Sequence, residues 1–418
     1  LRQYLAYLKK QNIPAAVTAS TGIAATHKNG VTIHSWSGMG VSDSLSKQEL
    51  EKLLRKQYLR KIAKTQVLIL DEISMLHACQ LDLVDTICRM FKQSVRPFGG
   101  MQVVFSGDFF QLPPISRNDA PAVFAYTSAA WKELNPAICY LTEQHRQADD
   151  GGLLRILNDV RTSAVCEATE ALLATRSVKR PTDHSAITKL YTHNIDVDRI
   201  NMAHLRRLPG RAATFDLEER GSHKLVETLK RGCLAPERLT VKKDALVIFV
   251  KNNMRAGYVN GTLGTVIELP ENGWPIVKTR DGNVVIAEPE TWSVEEFGRV
   301  KAEITQVPLR LAWAITIHKS QGMTLDAAEM DLGQCFDYGM GYVALSRVRA
   351  LDGITLLGIN DMAWQVHPEV LTFDQELQEH SKLVEQKISA IAPQTLQKAQ
   401  KEFVERVREV KKEKRVWF

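Results

Sequence analysis

Val67-Leu68-Ile69-Leu70-Asp71-Glu72-Ile73-Ser74 opens with four apolar residues in succession and turns abruptly to two carboxylates. A continuous apolar run of this length reads as a strand buried on both faces of a parallel sheet. Its polar end then falls at the carboxyl edge of the sheet, where open α/β sheets carry their chemistry. Working outward, Leu1, Tyr4, Leu5 and Leu8 share one helical face, with Lys9 and Lys10 at the end that favours cations. A short strand at Ala15–Thr18 leads into the small-residue turn Ala19-Ser20-Thr21-Gly22, and residues 45–62 read as a charged helical insertion. A helix near 76–92 and strands at Gln102–Phe105 and Ile138–Leu141 follow. Strands alternating with helices define a doubly wound α/β domain. The strand at 102–105 also ends polar, in Ser106-Gly107-Asp108.

Between 246 and 307 the pattern changes to short apolar alternation punctuated by Asn260-Gly261, Asn272-Gly273 and Asp281-Gly282. Such turn dipeptides predict antiparallel strands, here a small β-barrel inserted in a second α/β domain, because the α/β pattern resumes at Ala312. From 374 onward a charged helical tail is expected, a solvated amphipathic helix carrying interspersed glutamates among its lysines and arginines. No apolar run reaches the roughly 18 residues of a membrane span. The six cysteines include no CxxC pair, which argues against a zinc site and a disulfide framework and fits a reducing compartment. A net charge of +6 suits a nucleic-acid partner without demanding one.

Asp71-Glu72 after a buried strand suits Mg²⁺ binding by the first carboxylate and activation of water by the second, although such pairs also close ordinary turns. Gly107-Asp108-Phe109-Phe110-Gln111-Leu112-Pro113-Pro114 follows the next strand; Gln111 is placed to reach a γ-phosphate, and the apolar residues after it to pass on that movement. Ala312–Thr324 brings a strand into Thr316-Ile317-His318-Lys319-Ser320-Gln321-Gly322, where hydroxyls, a lysine and backbone amides suit phosphates. Arg146, in Leu141-Thr-Glu-Gln-His-Arg146, and Arg347, in Val343-Ala-Leu-Ser-Arg347, suit stabilisation of phosphoryl-transfer charge. Either would equally serve in a surface ion pair.

In order and spacing these segments resemble superfamily 1B helicases, and specifically the petite-integration-frequency (Pif-one) family, which the stretch Leu83–Gln102 with its Arg96-Pro97-Phe98-Gly99-Gly100 and the Asn260-Gly261-Thr262 turn also resemble. The resemblance covers roughly residues 1–360. It implies two RecA-like P-loop NTPase domains with a small inserted β-barrel and a helical C-terminal tail: a first domain over 1–145, a second over 146–245 and 308–365, the barrel at 246–307 and the tail at 374–418. It implies ATP and Mg²⁺ as cofactors, single-stranded and forked DNA as partners, and 5′→3′ translocation by a monomer, cytoplasmic in a bacterial or phage-like source and nuclear in a eukaryote. Asp71 would hold the metal, Glu72 activate water, Gln111 sense the γ-phosphate, Arg146 and Arg347 act as fingers, and Gln321 couple nucleotide to DNA. Gly107, Asp108 and Gly322 would line the nucleotide. Thr18, Ser20, Thr21, His34, Ser35, Trp36, Phe110, Pro113, His318, Lys319 and Ser320 would meet DNA, Trp36 either stacking a base in place of a phenylalanine or filling the core.

The departure is the phosphate-binding loop: no GxxxxGK[ST] occurs in the sequence. The opening helix begins without an N-cap residue, and the expectation is that the loop lies just before Leu1. Two other readings share these motifs: a RecD-like or relaxase-associated helicase, and a single-stranded-DNA-binding module that no longer turns over ATP.

Overall fold

The computed structural model describes all residues except 22–23, 26–29, 41, 115–120, 145–146, 148–149, 179–187, 193–196, 297–298 and 414–418. Arg146 therefore lies outside the described residues. The chain divides into two units, the first formed by Leu1–Asp108, Pro114–Thr142 and Thr372–Phe418, the second by Phe109–Pro113 and Glu143–Leu371.

In the first unit β1 (Ala15–Ala19), β2 (Val31–Thr32), β3 (Val67–Asp71) and β4 (Gln102–Phe105) make a parallel sheet in the order β2-β1-β3-β4. The apolar run of β3 is interior to it, with Val67, Leu68 and Leu70 at 0% exposure. Full burial of each such side chain is worth about 1.5–3 kcal/mol. The helices are α1 (Arg2–Lys10), α2 (Ile33–Ser37), α3 (Lys47–Leu54), α4 (Ala78–Lys92) and α5 (Ala129–Leu134). Ser46 and Glu49 close a capping box on α3, which explains why so charged a segment is helical.

Ile138–Leu141 does not form the third strand expected of it. The amide of Tyr140, a group that a ladder would use, donates instead to Ser381 Oγ (2.9 Å) of the C-terminal helix, and the Tyr140 hydroxyl donates to Asp374 (2.8 Å) of the same helix. Leu141 is exposed, unlike a residue of a buried strand.

The stretch that resembles the family signature has a specific architecture. Asp85, buried on α4, accepts the Phe98 amide (2.5 Å) on one oxygen and Arg89 Nε (2.7 Å) on the other. Phe98, Gly99 and Gly100 are all left-handed, with φ of 50°, 64° and 77°, which seats the Phe98 ring in the core, edge-on to Phe105. A Cβ on Gly99 would lie 2.5 Å from Lys92 Cβ and 2.9 Å from the Cys88 carbonyl oxygen. Gly99→Ala is expected to destabilise the protein by about 2 kcal/mol or more through strain and collision together, read as a lowered denaturant midpoint; an unchanged midpoint would refute this account.

The C-terminal helices span Pro368–Ser389 and Pro393–Glu413. The second was expected to be solvated. Residues 393–402 are exposed, but Val404 and Val407 are buried in one cluster with Leu8, Ile13, Val67 and Ile69, with Phe403 packed beside them. The apolar stripe of the tail thus covers the first unit's sheet next to α1.

In the second unit β5 (Thr188–Tyr191), β16 (Ala314–Thr316), β17 (Ala328–Leu332) and β18 (Ile354–Ile359) form a parallel sheet in the order β16-β5-β17-β18. Around it lie α6 (Gly151–Arg161), α7 (Glu167–Ala174), α8 (Val197–Arg207), α9 (His223–Gly232), α10 (Ile317–Ser320) and α11 (Met340–Leu345). The inserted segment holds an antiparallel sheet in the order β12-β11-β10-β9-β15, from β9 (Leu246–Phe249), β10 (Leu263–Glu268), β11 (Ile276–Thr279), β12 (Val284–Ile286) and β15 (Leu309–Leu311). Asp281-Gly282 makes the β11–β12 turn, with Gly282 at φ 85°. β13 (Glu290–Glu296) and β14 (Arg299–Gln306) leave this sheet and pair with β7 (Glu218–Gly221).

Candidate active site

The carboxyl ends of β1, β3 and β4 gather Ser20, Asp71, Glu72 and Ser106. Asp71 Oδ1 accepts from Ser106 Oγ (2.8 Å), which fixes the carboxylate's rotation. Ser20 bonds the backbone on both sides of the Glu72 Cα: its amide donates to the Asp71 carbonyl (3.1 Å) and its hydroxyl to the Glu72 carbonyl (2.7 Å). Glu72 is held at φ 53°, ψ 47°, a left-handed conformation uncommon for glutamate and typical of functional strand ends. The Ile73 amide donates to the Ser106 carbonyl (3.0 Å), tying the two strand ends together. A Cβ on Gly107 would stand 3.0 Å from the Ile73 nitrogen, so the absence of a side chain there lets β4's end lie against the Asp71-Glu72 turn. Ser74 is fully buried just beyond.

Phe109–Pro113 group with the second unit. There Gln111 Oε1 accepts from Gln321 Nε2 (3.1 Å), joining two residues that the sequence reading singled out separately. The Arg161 guanidinium sits 4.3 Å above the Phe110 ring and donates to the Tyr342 hydroxyl (2.9 Å). Gly339, at φ 76°, lies so close that a Cβ would be 2.6 Å from the Phe110 carbonyl oxygen. Thr316 caps α10 by accepting the Lys319 amide (3.2 Å). Burial, then the nearby Arg310 guanidinium, lowers the Lys319 pKa, with Asp198, which pairs with Arg310 (3.1 Å), opposing. Burial also lowers the His318 pKa, against the pull of Asp337, which favours the neutral ring. Gly261 packs against Thr324, where a Cβ would meet its carbonyl oxygen at 2.4 Å, so the Asn260-Gly261 turn abuts the 312–324 segment.

Arg347 is 2% exposed, with Nε on the Val343 carbonyl (2.8 Å) and Nη2 on Ser346 Oγ (2.7 Å).

Several side chains expected to meet DNA are turned inward. Thr18 is 1% exposed and donates to the Ile69 carbonyl. Ser320 is fully buried and donates to the Ile317 carbonyl. Trp36 is 3% exposed on α2, which packs on α4 and β1; Phe110 and Pro113 are buried as well. These hydroxyls and rings serve the local fold in this conformation. The half-buried members of the set are Thr21, His34, Ser35, His318 and Lys319. Thr21 Oγ1 accepts the Ala24 amide (3.2 Å), which leaves its own proton to donate. Sequence reasoning marked Ser106 only as part of a polar strand end, and missed Gln147, Asp150, Arg161 and Tyr342. Gln147 adjoins Arg146 and Asp150 precedes Gly151-Gly152 as an N-cap, so those two carried a readable signal; Arg161 and Tyr342 carried none.

Two α/β units, each on a parallel sheet with polar strand ends, define the RecA-like class of nucleotide-driven motors. A PIF1-like helicase family model matches residues 1–154. The chain is 41% identical to the ATP-dependent DNA helicase Pif1 of Psychrobacter sp. over 97% of its own length and 70% of that protein's. It is 38% identical to human ATP-dependent DNA helicase PIF1 over 85% of its length and 56% of that protein's, so it spans little more than half of the human relative. Bacteroides sp Pif1 in complex with ADP-AlF4 matches with a TM-score of 0.80 at 30% identity, covering 90% of each chain. Bacteroides Pif1 bound to ssDNA matches with a TM-score of 0.57 at 28% identity, covering 88% of each. The chain belongs to the PIF1-like helicase family. Among the described residues no helix is long and apolar enough to cross a membrane.

Proposed function

We propose that this chain is the motor portion of an ATP-dependent DNA helicase that moves 5′→3′ on single-stranded DNA. The observation that carries the reading is the Asp71 carboxylate at the end of the interior strand, its rotation fixed by Ser106, beside a Glu72 in a strained backbone conformation. ATP is the substrate of the hydrolytic step. Asp71 would hold Mg²⁺, which neutralises phosphate charge when bound. Among the described residues no group of three or more His, Cys, Asp or Glu side chains gathers to hold a metal. Mg²⁺ at Asp71 would complete its shell with water and substrate phosphates, its usual habit in such sites. Glu72 accepts a proton from water, Gln111 and its partner Gln321 report on the γ-phosphate, and Arg146 and Arg347 stabilise the transferred charge. Thr21, Ser35 and Lys319 would hold DNA phosphates.

The domain limits at 145, 246–307 and 374 remain the division we assign by function. Bacteroides Pif1's complex with ssDNA supports single-stranded DNA as partner here. The test is unwinding by the full-length protein of duplexes with a 5′ or a 3′ single-stranded tail. A 5′-tailed duplex is expected to be opened at least tenfold faster, and Glu72→Gln to abolish opening while DNA binding persists. Equal opening of both duplexes would defeat the polarity; unwinding that survives Glu72→Gln would defeat the assignment of the base.

A further inference from the structure

The segment that carries Arg146 and the segment that carries Arg347 are about two hundred residues apart in sequence, and one side chain ties them. Gln147, 5% exposed, directs both protons of its Nε2 at backbone carbonyls that straddle Arg347: Ser346 O at 3.1 Å and Val348 O at 2.9 Å. Three residues on, Asp150 accepts the Leu351 amide (2.6 Å) on one oxygen while the other caps α6 through the Leu153 amide (2.8 Å). The Arg347 segment is held from its other side by the loop after α10, where the Leu325 amide donates to the Arg347 carbonyl (2.8 Å) and the Arg349 amide to the Leu325 carbonyl (3.3 Å).

We propose that Gln147 is a positioning residue for Arg347. Its two hydrogen bonds hold the Ser346 and Val348 carbonyls while the Leu325 amide holds the Arg347 carbonyl between them, so three successive carbonyls are fixed, and with them the direction in which the arginine's Cα–Cβ bond leaves the backbone. A carboxamide suits this task because its planar NH₂ offers two donors at a fixed angle, matched here to carbonyls two residues apart. A guanidinium that must meet charge appearing only in the transition state gains from such pre-orientation, whereas substrate binding in the ground state does not. The proposal rests on the reading of Arg347 as a charge-stabilising finger.

The test is steady-state ATP hydrolysis on single-stranded DNA by the full-length protein carrying Gln147→Met, which keeps length and loses both donors. The expected result is a fall in kcat of at least tenfold, with KM for ATP within about twofold and a cooperative melt retained. In the double variant with Arg347→Ala the two losses are expected not to multiply, because the second removes what the first misplaces. If Gln147→Met does not fold, Gln147→Asn, shorter by one methylene but still a donor, takes its place, with the same fall in kcat at constant KM. A wild-type kcat, an effect confined to KM, or independent losses in the double variant would overturn the proposal and make Gln147 a framework residue. An Arg347→Ala protein with wild-type kcat would instead sink the finger reading itself, so the two failures are distinguishable.

Discussion

Arg347→Ala in the full-length protein is expected to lower kcat for DNA-stimulated ATP hydrolysis by about 10³-fold, the lower end of what an inserted arginine supplies in phosphoryl transfer. That factor corresponds to about 4 kcal/mol of transition-state stabilisation. The charge on the γ-phosphoryl oxygens is spread over a plane, which a planar fork of donors matches better than a point charge. Arg347→Lys is therefore expected to recover less than tenfold of the loss. The position of Arg347 at the end of α11, with Nε and Nη2 engaged by Val343 and Ser346, makes the folding control essential. A thermal melt run beside the kinetics separates the two roles. Loss of the melt together with activity, or a kcat within tenfold of wild type, would move the finger role to Arg146 alone.

A polypeptide of Leu1–Phe418 is expected to hydrolyse ATP at no more than about 1% of the rate of a form that also carries a Gly-Lys-Ser/Thr loop, with or without DNA, because the amides and lysine that cradle the β- and γ-phosphates are not in it. Single-stranded DNA binding is expected to persist, since Thr21, Ser35 and Lys319 are all present. Asp71→Ala should silence the longer form. DNA-stimulated turnover by Leu1–Phe418, abolished by Asp71→Ala, would show that another segment grips the phosphates. Turnover absent from the longer form as well would favour a DNA-binding module without ATPase activity.

The parts of the fold legible in the sequence were those with a one-dimensional signature. β3 was readable because interior parallel strands are apolar on both faces, and the Asp281-Gly282 turn because its backbone needs a left-handed residue. Ile138–Leu141 has the composition of a strand, but the Tyr140 amide is claimed by Ser381, far along the chain, which no local pattern reveals. The departure of β13 and β14 to pair with β7 is hidden for the same reason. At the site, residue types marked where chemistry gathers but not which hydroxyls are already used. Thr18, Ser20 and Ser320 each give their proton to a backbone carbonyl. The neighbouring Thr21 accepts instead. Gln147 was passed over beside Arg146 because an amide's partners are invisible until the chain has closed.

Val404 and Val407 share a core with Leu8, Ile13, Val67 and Ile69, and that fact constrains how the protein is made. A ribosome delivers β3 long before the helix that covers it. Until that helix emerges the nascent first unit exposes an apolar face, a natural substrate for chaperones and a point of vulnerability to proteases. Premature termination after Arg347 but before Phe403 would leave Asp71, Glu72, Gln111, Arg146, Gln321 and Arg347 encoded, yet release a chain whose sheet in the first unit lacks this cover.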